Sequence, residues 1–115
     1  MSEYNAEIPI NLELLNSYTD GDKDISKTLI EVFIESADED IEKLKTSLNS
    51  GGISWKEAAH SFKGASYTLG AEKLGSLLKE AELSKEACIA EREKLFNLIF
   101  LEYNNVKKYA QEIFY

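Results

Sequence analysis

The chain contains few of the residues that form disulfides, metal centres or rigid turns. Its 115 residues include one cysteine, one histidine (His60) and one proline. A single cysteine excludes an internal disulfide, so the fold must be stabilised by core packing, and this composition fits a reducing compartment. Metal sites in helical bundles draw several histidines and carboxylates from facing helices, which one histidine cannot supply. We therefore expect no metal and no cofactor in this chain.

Long apolar runs and excess positive charge are also lacking. The longest apolar stretch, residues 95–101, is broken by Asn97 and is far shorter than the roughly 20 residues that span a bilayer. Residues 1–9 lack a basic segment followed by an apolar run, so they do not resemble a signal peptide. A net charge of −8 disfavours binding to nucleic acid or anionic lipid. These absences predict a cytoplasmic protein that binds neither nucleic acid nor membrane.

The spacing of apolar residues predicts helices throughout. At 43% hydrophobic residues the chain can form one core, and period-2 alternation typical of strands is missing. Turn-forming residues separate periodic segments, which predict helices over residues 10–17, 22–48, 54–69, 72–85 and 90–114. Short connections favour antiparallel neighbours. We predict a single all-α domain over residues 1–115, an up-down-up-down four-helix bundle with a short additional N-terminal helix.

Intervals of three and four residues indicate which side chains are buried. In the helix over residues 54–69, Ser54 and Glu57 form a capping-box pattern, Ile53 and Ala58 are placed for a hydrophobic staple, and Gly70 is expected to end the helix in a left-handed conformation. The predicted core residues of the four long helices are, in chain order, Ile25, Leu29, Val32, Phe33, Ala37, Ile41, Leu44 and Leu48; Trp55, Ala58, Ala59, Phe62, Ala65, Ser66 and Leu69; Leu74, Leu77, Leu78 and Ala81; and Phe96, Ile99, Tyr103, Val106, Ala110 and Ile113.

His60 is expected on the solvent side of its helix. Phe62 lies about 200° around the helix from it, so burial of Phe62 turns the imidazole outward. A neutral imidazole is nucleophilic near pH 7, and an exposed one is useful when a partner brings the rest of an active site. Lys63, Gly64 and Tyr67 share the same face. A solvated surface histidine without a role is the competing interpretation.

The neighbours of His60 suit a docking surface. Lys63, one turn away, could contact the oxygens of a phosphoryl group on the ring, although a plain solvated lysine is the alternative. Gly64 costs about 1 kcal/mol relative to alanine inside a helix. Its purpose is either close approach by another protein or tight packing between helices. Tyr67 is either a partner contact or a partly exposed aromatic.

The pattern formed by His60, Lys63, Gly64, Ser66, Leu69 and Gly70 resembles the signature of the histidine-containing phosphotransfer (HPt) domain of two-component phosphorelays. The likeness extends over about residues 10–82, while the last helix matches in type only. It implies a four-helix bundle whose His60 Nε2 takes a phosphoryl group from a receiver-domain phospho-aspartate and passes it to another receiver aspartate. Two features depart from the pattern: Ala65 stands where some members carry a hydroxyl, and Tyr67 is bulkier than the residue often found there.

The chain also lacks the sequence features of a kinase. It contains no glycine-rich nucleotide loop, so a phosphohistidine carrier without autonomous kinase activity is expected. Mg²⁺ would belong to the partner, a response-regulator receiver, including one within a hybrid histidine kinase. Two other functions stay open: a module that binds or sequesters a receiver without phosphotransfer, and a structural bundle that self-associates through the apolar surface of the last helix. A monomer is expected.

Overall fold

The computed structural model describes residues 8–50, 52–84 and 86–115. These residues form five helices: α1 (Leu12–Thr19), α2 (Lys23–Ser47), α3 (Gly52–Leu69), α4 (Glu72–Leu83) and α5 (Ile89–Phe114). Helices α2 and α4 each pack against both α3 and α5, and α1 packs on α2 and α3. The predicted four-helix bundle with a short additional N-terminal helix is thus confirmed. No helix in the described residues has the length and apolar character needed to cross a membrane.

The first two helices begin at side-chain caps. The carboxamide oxygen of Asn11 accepts a hydrogen bond from the Leu14 amide, and the carboxylate of Asp22 accepts one from the Ile25 amide, both at 3.1 Å. Such caps satisfy amides that have no partner within the helix. Because Asn11 caps α1, this helix lies two residues further along the chain than predicted.

The turn between α3 and α4 is fixed by Gly70. Its φ of 92° is left-handed, as predicted, and the Ala71 amide donates to the Ser66 carbonyl to close the helix end. The Asn11 amide donates to the Gly70 carbonyl at 2.7 Å. A Cβ on residue 70 would lie 2.9 Å from the Asn11 carbonyl oxygen, so a side chain cannot be accommodated here. This turn sets the register of α4 against α3.

The predicted start of α3 is wrong. The helix begins at Gly52, so Ser54 is already helical and does not cap it, and Ile53 is 63% exposed instead of forming a staple with Ala58. A tertiary contact anchors the first turn: the buried Trp55 indole donates from Nε1 to the Ala81 carbonyl of α4 at 2.8 Å. Gly51 and Lys85, which fall in the predicted turn and at the predicted end of α4, lie outside the described residues.

Most predicted core residues of the four long helices are buried, but three predictions are wrong. In α2, Ile25 and Val32 are 50% and 61% exposed, and Ile30 is buried instead. The reason is α1, because the Ser26 hydroxyl donates to Thr19 of α1 and turns this side of α2 inward. In α5, Ile113 is exposed and Phe114 is buried. The residues that are only half-buried are Leu29, Leu48, Ala65, Leu77 and Phe96.

An aromatic cluster fixes the rotation of α3 within the bundle. The rings of Phe33, Phe62 and Tyr103 meet with centroids 5.8 to 6.2 Å apart. Tyr103 donates its hydroxyl to the Asp38 carboxylate at 2.7 Å, and burial raises the pKa of this hydroxyl, with Asp38 adding to the effect. Since Phe62 is fully buried, residues on the opposite side of α3 must face solvent.

Candidate functional site

His60 lies near the middle of α3 on its outer face, as predicted. Its side chain is 68% exposed, whereas Phe62, two residues along, is completely buried. The imidazole therefore stands on a rigid, packed helix but remains open to a partner from outside. Lys63 and Gly64, one turn further, lie beside it.

Glu82 of α4 holds one nitrogen of the imidazole. His60 Nδ1 lies 2.9 Å from Glu82 Oε2. An ionised carboxylate can only accept hydrogen bonds, so this contact requires a proton on Nδ1. In the neutral ring the lone pair is then on Nε2, the nitrogen for which the described residues provide no hydrogen bond. The contact thus selects the tautomer and orients the ring.

The same carboxylate pairs with Lys63. Lys63 Nζ lies 2.6 Å from Glu82 Oε1, so each carboxylate oxygen has its own partner on α3. The hydrogen bond from Lys63 is the main cause that lowers the pKa of Glu82; burial opposes it, and His60 adds to the lowering. Glu82 is therefore ionised at neutral pH. We call these three residues, His60, Lys63 and Glu82, the His60 cluster.

Gly64 has no packing reason to be glycine. It is exposed, and a Cβ added to it would meet no other atom within 4 Å. This excludes the tight helix packing considered from the sequence. The missing side chain leaves flat backbone beside His60 and costs helix stability.

Tyr67 is partly a packing residue. It is 37% exposed, and its ring covers Gly75 of α4 so closely that a Cβ on Gly75 would lie 2.7 Å from it. The structure therefore brings Tyr67 onto the same α3 face as His60 but rests it against α4. A contact between Tyr67 and a receiver stays a prediction.

Glu82 is not among the site residues predicted from the sequence, although a signal for it was present. In an antiparallel helix hairpin, residues equally distant from the turn face each other. His60 and Glu82 each lie eleven residues from Ala71, and Tyr67 and Gly75 each lie four residues from it. The turn predicted at Gly70 thus contained the register that places a carboxylate opposite the histidine.

A second missed carboxylate, Asp40, lies between α2 and α3. It is 3% exposed, and burial raises its pKa, while the charge of Lys43 and a hydrogen bond from Ser61 act in the opposite direction. Its Oδ2 has no hydrogen-bond partner. Asp40 follows Ala37 by three residues and precedes Leu44 by four, so the core spacing of α2 already included it.

The surface around His60 forms an open groove. His60 and Glu82 border an open groove together with Ile53, Lys56 and Glu57. Within residues 8–50, 52–84 and 86–115, no group of three or more histidine, cysteine, aspartate or glutamate side chains could hold a metal ion.

Comparison with protein-family models gives one finding, a match to the Hpt domain over residues 28–108. Comparisons with curated proteins and with solved structures return no match. The matched segment covers more than half of the chain and contains the whole of α3 and α4, and hence the His60 cluster. Hpt domains are helical phosphocarrier modules of two-component signalling. The fold and this match together show that the chain belongs to the Hpt domain family.

Proposed function

We propose that this chain is a phosphorelay intermediate that carries a phosphoryl group on His60. It accepts the group from the phospho-aspartate of one receiver domain and passes it to the aspartate of another. The observation that carries this proposal is the exposed imidazole whose Nδ1 is held by Glu82. The receivers supply the acidic pocket and Mg²⁺, and the exchange takes place in the cytoplasm.

The transfer needs no proton to leave the attacking nitrogen. The lone pair of His60 Nε2 attacks phosphorus, the bond from phosphorus to the aspartate oxygen breaks, and its electron pair remains on the leaving carboxylate. The ring keeps its Nδ1 proton and gains positive charge, which the Glu82 carboxylate stabilises through the existing hydrogen bond. Transfer to the next receiver reverses these steps with a different aspartate.

Lys63 has two tasks in this proposal. In the unphosphorylated protein it pairs with Glu82 and lowers the pKa of that carboxyl. When a phosphoryl group is bound to His60, the ammonium one turn away offsets part of its negative charge. Positioning and charge stabilisation of this kind dominate phosphoryl transfer in general.

Gly64 allows the receiver to approach the imidazole. In-line transfer requires the aspartate, the phosphorus and Nε2 to come within reacting distance. The open space above Gly64 means that a larger side chain would project toward the partner and not into the bundle. We therefore assign Gly64, with Tyr67 as its neighbour on the same face, to receiver docking.

A phosphotransfer profile tests the proposal. Receivers of the source organism are phosphorylated, mixed with the wild-type chain or with His60→Gln, and the label on the chain is followed over time. Wild type should gain an acid-labile, alkali-stable phosphate that His60→Gln lacks. Lys56→Ala, which changes the same groove without touching the His60 cluster, is the matched control and should behave as wild type.

Two results would contradict the proposal. One is the absence of transfer from every receiver; the other is equal transfer to wild type and His60→Gln. If a receiver binds His60→Ala with full affinity and no phosphate is transferred to the wild type, the chain is a receiver-binding module instead.

A further inference from the structure

The outer face of α5 carries an apolar patch that the bundle does not use. Leu98 and Leu101 are 43% and 60% exposed. Their sequence neighbours Ile99 and Tyr103 lie on the opposite, buried side of the helix. Exposed side chains of this size are common singly, but two neighbours on one helix face form a patch.

Charged residues flank this patch in an ordered way. Intervals of three and four residues connect seven exposed positions, which we call the α5 stripe: Glu91, Lys94, Leu98, Leu101, Asn105, Lys108 and Glu112. This is the spacing of a seam between two paired helices, with the apolar residues at its centre. Glu91 and Lys108 lie at equal distances on either side of the two leucines, and Glu112 follows Lys108 by one turn.

We propose that the α5 stripe pairs two copies of this chain in an antiparallel arrangement. The two-fold axis then passes between Leu98 and Leu101. Leu98 of one copy packs on Leu101 of the second copy, and Leu101 of the first packs on Leu98 of the second. Residues equally distant from the axis then face each other, so Glu91 meets Lys108 of the second copy, and the reverse pair forms at the other end. A parallel pair would instead place like charges together at both ends.

The location of α5 leaves the candidate site accessible. Helices α3 and α5 are diagonal in the bundle, since each packs against both α2 and α4, while α3 and α5 meet across the core through the rings of Phe62 and Tyr103. His60 points outward from α3 and the α5 stripe points outward from α5. The pairing therefore does not depend on the proposed phosphotransfer and does not block it.

The predicted association is weak. A contact between single helices stays below the approximately 1,200 Å² of stable interfaces, so we expect reversible association that depends on protein concentration. The chain would therefore be a monomer at low concentration, as expected from the sequence, and would form dimers only at high concentration.

Sedimentation equilibrium over a concentration series tests the pairing. The wild type should show reversible dimer formation, and Leu98→Glu should abolish it by placing two carboxylates near the axis. Phe100→Glu is the matched control: Phe100 is 45% exposed on the same helix but lies about 200° around from Leu98, so association should be unchanged. Circular dichroism and thermal melting of each variant verify that the fold is retained.

A charge swap tests the antiparallel register. Lys108→Glu should weaken dimerisation about tenfold, because two exposed ion pairs become repulsive contacts. Adding Glu91→Lys to the same chain should restore the wild-type constant. A monomer at all concentrations up to about 1 mM would overturn the proposal. So would dimers that Leu98→Glu leaves intact, or a double swap that fails to recover association.

Discussion

Replacing Gly64 or Gly75 with alanine should change the stability of the bundle in opposite directions. Both residues lie inside helices, where alanine is favoured over glycine by about 1 kcal/mol. Around Gly64 there is open space, so Gly64→Ala should raise the free energy of unfolding by about that amount. For a domain of this size the melting temperature rises by about 4 °C.

At Gly75 the added methyl group has no room. A Cβ on this residue would lie 2.7 to 2.9 Å from atoms of the Tyr67 ring, so the ring must move. Overpacking typically costs about 1–3 kcal/mol, and the higher helix propensity of alanine offsets about 1 kcal/mol of this cost. Gly75→Ala should therefore lower the free energy of unfolding by about 1 kcal/mol.

Urea unfolding followed by circular dichroism measures both variants, and a Tyr67→Ala background separates the two terms. Without the ring, Gly75→Ala should become stabilising, because only the helix propensity remains. A lower stability of Gly64→Ala would contradict the first prediction. An effect of Gly75→Ala that is the same with and without the Tyr67 ring would contradict the second. The phosphotransfer assay tests the role of Gly64 in docking. Gly64→Ala should slow transfer although it stabilises the fold, so the slower transfer cannot result from a loss of stability.

Three further predictions concern the carboxylates. Glu82→Gln should slow phosphotransfer about tenfold, because a charge-assisted hydrogen bond to His60 becomes a neutral one; an unchanged rate would remove Glu82 from the mechanism. Lys63→Ala should raise the pKa of Glu82, since the hydrogen bond from Lys63 is the main cause that lowers it, and an NMR titration of the Glu82 carboxyl should show its midpoint at higher pH; Lys56→Ala should leave this midpoint in place. Asp40→Asn should raise the free energy of unfolding at pH 7, because it removes a negative charge whose burial is unfavourable. Because burial raises the pKa of Asp40, wild-type stability contains a contribution that falls as pH rises from about the unfolded value of 3.8 through the folded pKa, and titration of Asp40→Asn should lack it.

Local patterns in the sequence were sufficient for the architecture. The apolar spacing of α3, α4 and α5 identified most of the core, and Gly70 was recognised as the end of α3 because a left-handed residue is needed there. The errors occurred where a neighbouring element decides. The contact of Ser26 with α1 turns Ile25 outward, and the contact of Trp55 with α4 anchors the first turn of α3. Neither contact is encoded in the spacing of a single helix.

The candidate site shows the same division. His60, Lys63 and Gly64 could be found from the sequence because one helix carries them on one face. Glu82 could be reached only by counting outward from the turn, since it comes from the other helix of the hairpin. The exclusion of interhelical packing at Gly64 needed the structure, because a sequence cannot show that the space around a residue is empty.

The shared carboxylate gives the His60 cluster a charge balance that suits a carrier. Before transfer, the Glu82 anion and the Lys63 cation offset each other, and the imidazole keeps its Nδ1 contact with Glu82. A bound phosphoryl group adds one to two negative charges beside Lys63, which must then divide its interaction between the phosphoryl oxygens and Glu82. A lysine without a second partner would bind the phosphoryl group more strongly and slow its departure. In the proposed phosphorelay, Glu82 competes for the ammonium, so the phosphoryl group is held by less than a full ion pair and can be passed on.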